Sequence, residues 1–498
     1  MNVNPITRLD YPDPDVIRVE DTYYMVSTTM HFMPGCEILQ SFDLVHWEHA
    51  TYVYETLDHT DAQQLKSGQN IYGQGMWAAS LRYHEGRFYI CFVANDTRKT
   101  YLYTSEKIDG PWKKQLIEGF YHDGSLLFDE DGRNYIVYGN DEIWITELNE
   151  DLTAPKKDGL HRLLVSDHKN PELGYEGSHI QKINGYYYIF LVHSLRDRWM
   201  RTEACFYSDS LEGEFTGGDV LCDDRGYCGQ GVAQGGIVDT PDGKWYAMLF
   251  QDSGAVGRIP ILVPVTWKDH FPVFGQNGHV PEEIEVHSTR PGYIYQPLVG
   301  SDDFCNGLLP RWQFNHDPDP RYYHLDALQG TYTITTREVC TELTQAVNTL
   351  TQRMSYPSCA AEVTVDASAL KEGDVAGLCA LQSCYAAVGI TKHHGKYEVL
   401  MLDKKEDGIL DMTERTVVES HQMDFRLEAD FCNMKDEARC YYRVNKGDWL
   451  PIGTVHKLYF KLDHFTGCRF GLFCYAAEET GGSACFRDFK YYDVDEIS

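Results

Sequence analysis

The stretch EDTYYMVST, residues 20–28, is the first of five copies of one short pattern in this chain. The other four are EGRFYICFV, DGRNYIVYG, NGYYYIFLV and DGKWYAMLF, at residues 85–93, 131–139, 184–192 and 242–250. Each copy joins an acid or Asn, usually followed by Gly, to an aromatic run containing Tyr. This combination is typical of a tight turn followed by a β-strand, so the pattern predicts five similar β-hairpins.

The spacing of the copies indicates how the hairpins are arranged. Their shared Tyr residues are separated by 65, 46, 53 and 58 residues: Tyr24, Tyr89, Tyr135, Tyr188 and Tyr246. Such intervals suit the four-stranded blades of a propeller. Unrelated hairpins can share turn chemistry by chance, but five matches with compatible intervals favour a five-bladed β-propeller.

Counting back from each Tyr locates the innermost strand of each blade. Eleven residues before Tyr24 lies Asp13, and twelve residues before the other four Tyr lie Trp77, Asp123, Glu176 and Gln234. Innermost strands surround one central channel, so residues at matching positions converge there although they are distant in sequence. The register therefore predicts that three acids share the channel.

Asp13, Asp123 and Glu176 would repel one another, so folding alone gives little reason to bring them together. Acid–base chemistry does give one. Glycoside hydrolysis uses one carboxylic acid to protonate the leaving oxygen and one carboxylate to activate water, about 6.5–9.5 Å apart in inverting enzymes. A third carboxylate can raise the pKa of the acid. An isolated acid would be interpreted as a solvated loop residue, whereas the shared register favours a catalytic cluster.

Two further acids flank Asp13. Asp15 lies two residues later, on the same face of the predicted strand, and is the alternative to Asp13 for the same role. The register favours Asp13, because Asp15 falls three residues from the position occupied by Asp123 and Glu176. Asp10 is predicted to be an exposed loop charge.

Five ordered segments carry a resemblance to a known family: YPDPDVIRVEDTYYM, GMWAASLRYHEGRFYICF, DGSLLFDEDGRNYIVYG, YEGSHIQKINGYYYIF and QGGIVDTPDGKWYAMLFQD. In them the chain resembles glycoside hydrolase family 43, whose members are five-bladed β-propellers that invert the anomeric centre. The resemblance implies that Asp13 is the general base, Glu176 the general acid, and Asp123 the residue that tunes the acid and orients the sugar.

The resemblance also suggests substrate-binding residues. Phe32 resembles the aromatic that floors the sugar subsite, and His31 beside it is a candidate for the same subsite. Trp77 occupies the channel position of the second blade, and Arg258 resembles the arginine that holds sugar hydroxyls near the base. The alternatives are core packing for Phe32 and Trp77, a solvated loop for His31 and a strand surface for Arg258.

Gln234 departs from the family pattern. Many relatives place a His at this position, where it supports a hydrated divalent ion, and a Gln carbonyl is a weaker anchor. We therefore expect that the protein requires no cofactor, and we assign no metal ligand; a structural calcium ion is the alternative.

A second domain is predicted from residue 301. The segments GTYTITT, AAEVTVDAS and AAVGITK alternate apolar and polar residues, as half-buried antiparallel strands do. The region resembles the concanavalin-A-like β-sandwich that follows the propeller in two-domain β-xylosidases. There it packs on the propeller and a loop narrows the active-site mouth; carbohydrate binding by the sandwich itself is the alternative. The expected chain is all-β, with a propeller over residues 1–295 and a sandwich over 301–498.

Composition narrows the partners and the compartment. The formal charge of −31 disfavours nucleic acid and anionic membranes as partners. Fifteen cysteines without a C-x-x-C pair indicate reduced thiols. The N-terminus lacks a signal-peptide pattern and no run of about 18 apolar residues occurs. We expect a soluble, cytoplasmic protein; a homo-oligomer is compatible with the sequence.

The expected activity is that of an inverting exo-glycosidase, which would remove β-1,4-linked D-xylose from the non-reducing ends of xylo-oligosaccharides. Action as an α-L-arabinofuranosidase on arabinoxylan-derived oligosaccharides, alone or in addition, is the close alternative. A non-catalytic sugar-binding propeller is a third hypothesis, against which three acids in register argue.

Overall fold

The computed structural model of the protein describes residues 3–493. Within this range the regular elements are β-strands and four short 3-10 turns: Lys66–Gly68, Gly254–Val256, Leu343–Gln345 and Cys432–Met434. None of the helical segments in the described part has the length and apolar character needed to cross a membrane. The outermost residues of the two predicted domains, 1–2 and 494–498, lie outside the described residues.

Each copy of the repeated pattern forms a turn and the strand that follows it. In the first copy β1 (Asp15–Val19) pairs antiparallel with β2 (Thr22–Ser27) across a two-residue turn. In the fourth copy both turn residues, Asn184 and Gly185, have positive φ, at 51° and 84°. Asn and Gly adopt this conformation with the least steric cost, which is why they recur at such turns.

Five antiparallel sheets follow one another along the chain, and each is one blade. Blade 1 contains β1, β2, β4 (Gly35–Ser41) and β5 (Glu48–Tyr54), with the short β3 (Phe32–Met33) in the loop between β2 and β4. Blade 2 contains β6 (Met76–His84), β7 (Arg87–Ala94), β8 (Lys99–Ser105) and β9 (Lys113–Ile117). Blade 3 contains β10 (Ser125–Phe128), β11 (Asn134–Asn140), β12 (Glu142–Leu148) and β13 (His161–Ser166). Blade 4 contains β14 (Glu176–Ile183), β15 (Tyr186–Ser194), β16 (Arg201–Ser208) and β17 (Thr216–Leu221). Blade 5 contains β18 (Val232–Ala233), β19 (Ile237–Asp239), β20 (Trp245–Asp252), β21 (Arg258–Lys268) and β22 (Phe271–Phe274).

Hydrophobic clusters fill the space between neighbouring blades. Each of the five repeated Tyr lies in a cluster shared with an adjacent blade; Tyr188, for example, packs with Ile261 and Phe274 of blade 5. The ring closes where the N-terminal segment meets blade 5, because the backbone N–H of Tyr11 donates to the Arg258 carbonyl at 3.0 Å. The repeated pattern thus supplies both the hairpin and the apolar face that packs one blade on the next.

The C-terminal region is a sandwich of two sheets. The larger sheet has eight strands in the order β3, β23 (Gln313–Asn315), β26 (Leu350–Arg353), β35 (Arg469–Tyr475), β28 (Val375–Leu381), β29 (Ala386–His393), β30 (Lys396–Lys404) and β31 (Leu410–Val418). The other has seven, in the order β24 (Tyr323–Asp326), β25 (Thr331–Thr335), β36 (Ser483–Asp493), β27 (Ser358–Asp366), β32 (Gln422–Asp430), β33 (Glu437–Val444) and β34 (Leu450–Lys457). The prediction of an all-β chain with a five-bladed propeller followed by a β-sandwich is confirmed.

The two domains share a sheet. Strand β3 leaves blade 1 and pairs with β23 of the sandwich, with Asn315 opposite Phe32. Asp10 adds a second link, because its carboxylate accepts hydrogen bonds from the backbone N–H of Arg258 at 2.7 Å and of Gly467 at 2.8 Å. Asp10 is therefore a buried interdomain acceptor, and the expectation of an exposed loop charge is wrong: two backbone donors compensate its burial.

A buried ion pair holds four blades together inside the channel. Asp15 of blade 1 accepts a hydrogen bond from Arg82 of blade 2 at 2.8 Å and approaches His179 of blade 4 at 3.0 Å. Arg82 also donates to the Ser125 hydroxyl of blade 3 at 2.7 Å and to the Ile180 carbonyl of blade 4 at 3.1 Å. Burial raises the pKa of Asp15, but the attraction of Arg82 and His179 outweighs it and holds that pKa below its usual range. Asp15 is thus engaged in structure, which separates it from Asp13.

We predict that Arg82→Met lowers the free energy of unfolding by about 3–5 kcal/mol, because it leaves the Asp15 carboxylate buried without its cation. Urea unfolding followed by tryptophan fluorescence measures the change. Arg133→Met is the matched control: this exposed arginine pairs with exposed Asp131, and its loss should cost less than about 1 kcal/mol. Equal effects of the two substitutions would contradict the role assigned to Arg82.

Candidate active site

The five register positions all lie at the N-terminal ends of the inner strands, and therefore at one mouth of the channel. Asp13 and Asp123 each precede their inner strand by two residues, Glu176 begins β14, Trp77 is the second residue of β6, and Gln234 follows β18. Asp13, Asp123 and Gln234 have positive φ, at 53°, 47° and 65°. Asp and Asn-like side chains tolerate this left-handed conformation better than most residues do.

The structure explains why Asp13 lies eleven residues before its Tyr and the others twelve. In blades 2 and 4 the inner strand contains a β-bulge, between Met76 and Ala79 and between Glu176 and His179. In blades 3 and 5 the turn that follows the inner strand is a longer loop, residues 129–133 and 240–244. Blade 1 has neither feature. Each of these irregularities adds one residue, so the positions in blades 1 to 4 are structurally equivalent. In blade 5 one more residue is inserted between Ala233, which is opposite Phe250, and Ile237, which is opposite Ala247, so Gln234 lies one residue beyond the matching position.

Asp13 is held by two donors. The Thr28 hydroxyl donates to its Oδ2 at 2.6 Å, and Nη1 of Arg258 donates to its Oδ1 at 3.0 Å. Both bonds stabilise the deprotonated carboxylate, because an ionised carboxylate can only accept. Asp13 and Arg258 are buried, at 6% and 2% exposure. The arrangement suits a carboxylate that accepts a proton from water.

Glu176 is more accessible than Asp123, because its side chain is 18% exposed. Its Oε2 accepts a hydrogen bond from the Asn140 side-chain amide at 2.9 Å. Asn140 ends β11, so blade 3 orients a carboxyl group of blade 4. A carboxyl group that is partly open to solvent and oriented from one side can deliver a proton to a bound leaving group.

Asp123 is buried beside Glu176. Its Oδ2 accepts a hydrogen bond from the backbone N–H of Gly177 at 3.0 Å. Burial raises the pKa of Asp123 to about 6; the nearby His122 opposes this shift, and Glu176 and Asp13 add to it. Gly177 has φ 66° and lies under Gln234, whose side chain would be 2.7 Å from a Cβ at that position. Only glycine fits here, so the strand can approach Asp123 closely.

His122 lies between the carboxyl groups of Asp123 and Glu176. Its Nε2 is 3.6 Å from Oδ2 of Asp123 and 3.6 Å from Oε2 of Glu176. Burial lowers the pKa of His122, but the carboxylates of Asp123, Glu176 and Asp13 outweigh this effect and raise it to about 9. The ligand atoms of His122, Asp123 and Glu176 lie within 4.8 Å of one another, and a protonated imidazole in this group forms an ion-pair network with the two carboxyl groups.

Aromatic and arginine side chains form the wall of the site. The Trp77 ring is 5.7 Å from the His122 ring and 5.6 Å from that of Phe465, centroid to centroid. The Arg258 guanidinium carbon lies 4.4 Å from the Phe465 centroid and 5.4 Å from the Phe250 centroid. Phe465 belongs to the sandwich, in the segment 459–467 that reaches the propeller. Both domains therefore build this wall.

A second arginine approaches the acids from blade 4. Arg201 donates to Asp252 at 2.8 Å, and its guanidinium carbon lies 5.2 Å from the ring centroids of both Trp199 and Phe250. The charges of Glu176 and Asp13 act on it through space. Trp199 is 44% exposed, so this row of stacked groups extends from the buried acids to the protein surface.

Phe32 and His31 lie elsewhere than predicted. Because β3 pairs with β23, the Phe32 ring is turned into the sandwich, where it is 1% exposed and stacks at 3.5 Å on the Arg469 guanidinium. His31 is fully buried and its ring packs against His316 and His464 of the sandwich. Burial, followed by those two neighbours, lowers the pKa of His31. Both residues pack in the domain interface and have no exposed face for a sugar.

Gln234 lies in the channel, next to Gly177 and the buried Glu203. Its backbone N–H donates to Oε2 of the buried Glu203 at 2.7 Å. Within residues 3–493, the group of three or more His, Cys, Asp or Glu ligand atoms that comes close together is that of His122, Asp123 and Glu176, not one around Gln234. Calcium in proteins takes six to eight oxygen ligands.

The opposite mouth of the channel holds a cavity of about 480 Å³, lined by Arg18, Arg82, Lys182 and Asp239 among others. None of the three acids lines it. The Asp15–Arg82 pair separates this cavity from the acids, so the two mouths are chemically distinct.

Several site residues are missing from the sequence-based prediction. His122 directly precedes a register position and could have been examined on that ground. Asn140 ends β11 and Thr28 directly follows β2, the second strands of their blades, where loops of the same mouth begin. Phe465 carries no such signal, because it lies in the other domain and nothing in its local sequence relates it to the propeller.

Comparison with known proteins agrees with these features. The family model for glycosyl hydrolases family 43 matches residues 3–272, and the model for the beta xylosidase C-terminal concanavalin A-like domain matches residues 301–492. A beta-xylosidase of Formosa agariphila is 27% identical over 99% of this chain and 89% of its own length. A non-reducing end alpha-L-arabinofuranosidase of Bacteroides ovatus is 24% identical over 82% of this chain and 79% of its own length.

One solved structure is more similar. A bifunctional GH43-CE protein of Bacteroides eggerthii is 42% identical to this chain, covers 98% of it and superposes with a TM-score of 0.92. The present chain spans 63% of the length of that protein. The similarity therefore extends over the propeller and the sandwich together.

Proposed function

The chain belongs to glycosyl hydrolase family 43, and on this basis we propose that it is an exo-acting glycosidase that releases β-1,4-linked D-xylose from xylo-oligosaccharides. The observation that carries the proposal is the meeting of three carboxyl groups from blades 1, 3 and 4 at one channel mouth. Asp123 connects them. It accepts a hydrogen bond from the backbone N–H of Gly177, the residue after Glu176, and the charges of Glu176 and Asp13 help to raise its pKa. A propeller that only held sugar would not need this costly cluster.

The proposed roles follow from the surroundings of each acid. Asp13, held by Thr28 and Arg258, takes a proton from the water that attacks the anomeric carbon. Glu176, partly exposed and oriented by Asn140, gives its proton to the leaving oxygen as the glycosidic bond breaks. Asp123, buried beside Glu176 and held by the Gly177 backbone, supplies the neighbouring carboxyl group that tunes the acid and orients the sugar. Attack by water opposite the leaving group inverts the anomeric centre.

Action at chain ends is supported by the shape of the wall. Phe465 and its segment approach Trp77 and Arg258 from the sandwich and cover one side of the channel mouth. The carbonyl oxygen of Leu462, in the same sandwich segment, packs directly against Gly73 of the propeller: a Cβ at position 73 would be only 2.8 Å from this oxygen. A site closed on one side accepts the end of a chain more readily than its middle, which suits exo-action.

Arabinofuranose is the second candidate sugar. A relative aligned over 82% of this chain is an alpha-L-arabinofuranosidase, and another is described as a xylosidase/arabinosidase. A terminal xylose and a terminal arabinofuranose present similar hydroxyl groups to a pocket of this kind. We therefore propose β-xylosidase activity as the main function and arabinofuranosidase activity as an additional one.

We also propose that the reaction needs no metal and that the protein works in a reducing, cytoplasmic compartment. The roles of base and acid are filled by side chains, and the carbonyl of Gln234 is a weaker anchor for a divalent ion than the His that many relatives have at this position. All fifteen cysteines fall within the described residues and have free thiols. A neutral oligosaccharide is a compatible substrate for the strongly negative chain. Self-association into a homo-oligomer is also compatible with it.

Glu176→Gln should lower kcat/KM on xylobiose by about 100- to 10 000-fold, because an unactivated leaving group must be protonated. On 2,4-dinitrophenyl β-D-xyloside the loss should be at least an order of magnitude smaller, because that leaving group departs as an anion. Asp13→Asn should impair both substrates, since each needs activated water. Asp131→Asn, an exposed acid in the same propeller, is the control and should change neither.

The same assays with 4-nitrophenyl α-L-arabinofuranoside rank the two sugars. Equal losses of Glu176→Gln on activated and unactivated xylosides would argue against its role as the acid. A wild-type protein that binds xylobiose but cleaves neither xyloside nor arabinofuranoside would instead identify a sugar-binding propeller.

Metal removal gives a separate prediction. Dialysis against EDTA should leave kcat/KM on xylobiose and the thermal unfolding midpoint unchanged, because the acid, the base and their partners are protein side chains. Dialysis without chelator is the control. A loss of activity that calcium restores and magnesium does not would show that the reaction depends on a bound calcium ion and would contradict this prediction.

A further inference from the structure

His122 occupies a position that simple packing does not account for. Its ring touches Trp77 at its edge, which a Phe or Leu could do equally well. Its Nε2, however, is buried and lies 3.6 Å from one oxygen of Asp123 and 3.6 Å from one oxygen of Glu176, within salt-bridge distance of both. A buried nitrogen held between two carboxyl groups calls for an electrostatic or functional reason.

The charges around the acids show what that reason is. Arg258 pairs with Asp13 at 3.0 Å, and Arg201 pairs with Asp252 at 2.8 Å. These two cations are therefore already matched. Asp123 and Glu176 face no arginine or lysine at salt-bridge distance; His122 is the cationic partner that the described residues provide for them.

The positions of the protons on His122 and Glu176 determine the charge balance of the site. If His122 is protonated and Glu176 carries its acidic proton, three cations face three carboxylates. If His122 were neutral, one carboxylate would be in excess, and the buried Asp123 would compete with Glu176 for the proton. A protonated His122 therefore leaves one proton for Asp123 and Glu176 together, and Glu176 is the acid of the two that is open to a leaving group.

We propose that His122 is a positioning residue that acts as a lasting imidazolium: it keeps Asp123 ionised, so that the mobile proton resides on Glu176. It also stabilises the Glu176 carboxylate that forms when this proton moves to the glycosidic oxygen. In that step the bonding electrons pass to the leaving oxygen, water bonds to the anomeric carbon and loses a proton to Asp13, and His122 keeps its own proton. The inference rests on the proposed function and adds to it.

The direction of the pH effect follows from Coulomb interaction. The titratable and charged groups that face His122 are Asp123 beside it, Glu176 from β14 and Asp13 before β1, with Arg258 beyond Asp13. A cation favours the ionised form of a neighbouring carboxyl group and so lowers its pKa. Removing the cation raises the pKa of the acid, and the alkaline limb of the pH–rate profile must then move to higher pH.

The test compares His122→Gln, which keeps a donor without the charge, with His122→Lys, which restores a charge. In His122→Gln, kcat/KM on xylobiose should fall about 10- to 100-fold while the alkaline limb moves up by about one pH unit. The loss on 2,4-dinitrophenyl β-D-xyloside should be smaller, because no proton is delivered to that leaving group. His122→Lys should return the limb towards the wild-type position. His161→Gln, on the outer part of blade 3, is the control.

Two results separate the failure of this inference from that of the proposed function. If wild type cleaves neither xyloside nor arabinofuranoside, or if Asp13→Asn is fully active, the proposed function fails. If those results are as expected but His122→Gln loses activity equally on both xylosides with an unmoved alkaline limb, His122 has only a structural role and this inference is wrong.

A measurement without turnover covers the case in which His122→Gln does not fold. NMR of protein labelled with ¹³C at histidine Cε1 should show one imidazole with a pKa of about 9, and its midpoint should fall in Glu176→Gln. Agreement with both expectations supports a lasting imidazolium. Absence of any histidine titrating above the ordinary value of about 6.5 would overturn the inference.

Discussion

The ion pair between Asp15 and Arg82 is the constraint on which the rest of the propeller depends. It lies inside the channel, one layer below the acids, and its hydrogen bonds reach blades 1, 2, 3 and 4. Each inner strand begins just above this layer, so the pair determines where those strands start relative to one another. Asp13, Asp123 and Glu176 are side chains of these strand starts, and their mutual positions follow from it.

The channel contains two layers of charged residues: a lower layer that stabilises the propeller and an upper layer that holds the proposed catalytic acids. In the lower layer the carboxylate of Asp15 is fully matched by Arg82 and His179 and is inaccessible. In the upper layer the acids are only partly matched, through Arg258 and His122, and Glu176 is left partly open. Repulsion within the upper layer is tolerable because burial of apolar surface between all five blades stabilises the ring. The sandwich completes the upper layer through Phe465.

The repeated pattern is sufficient to predict the fold and the meeting of Asp13, Asp123 and Glu176 in the channel, because hairpin chemistry and channel register are local properties. The one-residue offset of Asp13 could not be explained from sequence, since bulges and turn lengths become visible only when strands are paired. Phe32 and His31 were misplaced for a similar reason: the strand pairing that turns them into the sandwich joins residues about 280 positions apart. Phe465 was invisible because it reaches the site from another domain. Tertiary pairing, and not local preference, decides all of these positions.

The central claim is that Asp13 activates water while Glu176 protonates the leaving oxygen on the other side of the anomeric carbon. The stereochemistry of the first-formed sugar tests this most directly. ¹H NMR of xylobiose hydrolysis in the first minutes, before mutarotation, distinguishes the two anomers released from the non-reducing end. We expect α-xylose as the initial product, from a single inverting displacement by water. Initial release of β-xylose would indicate a covalent intermediate and retention, and would contradict the assignment of Asp13 as a base acting through water.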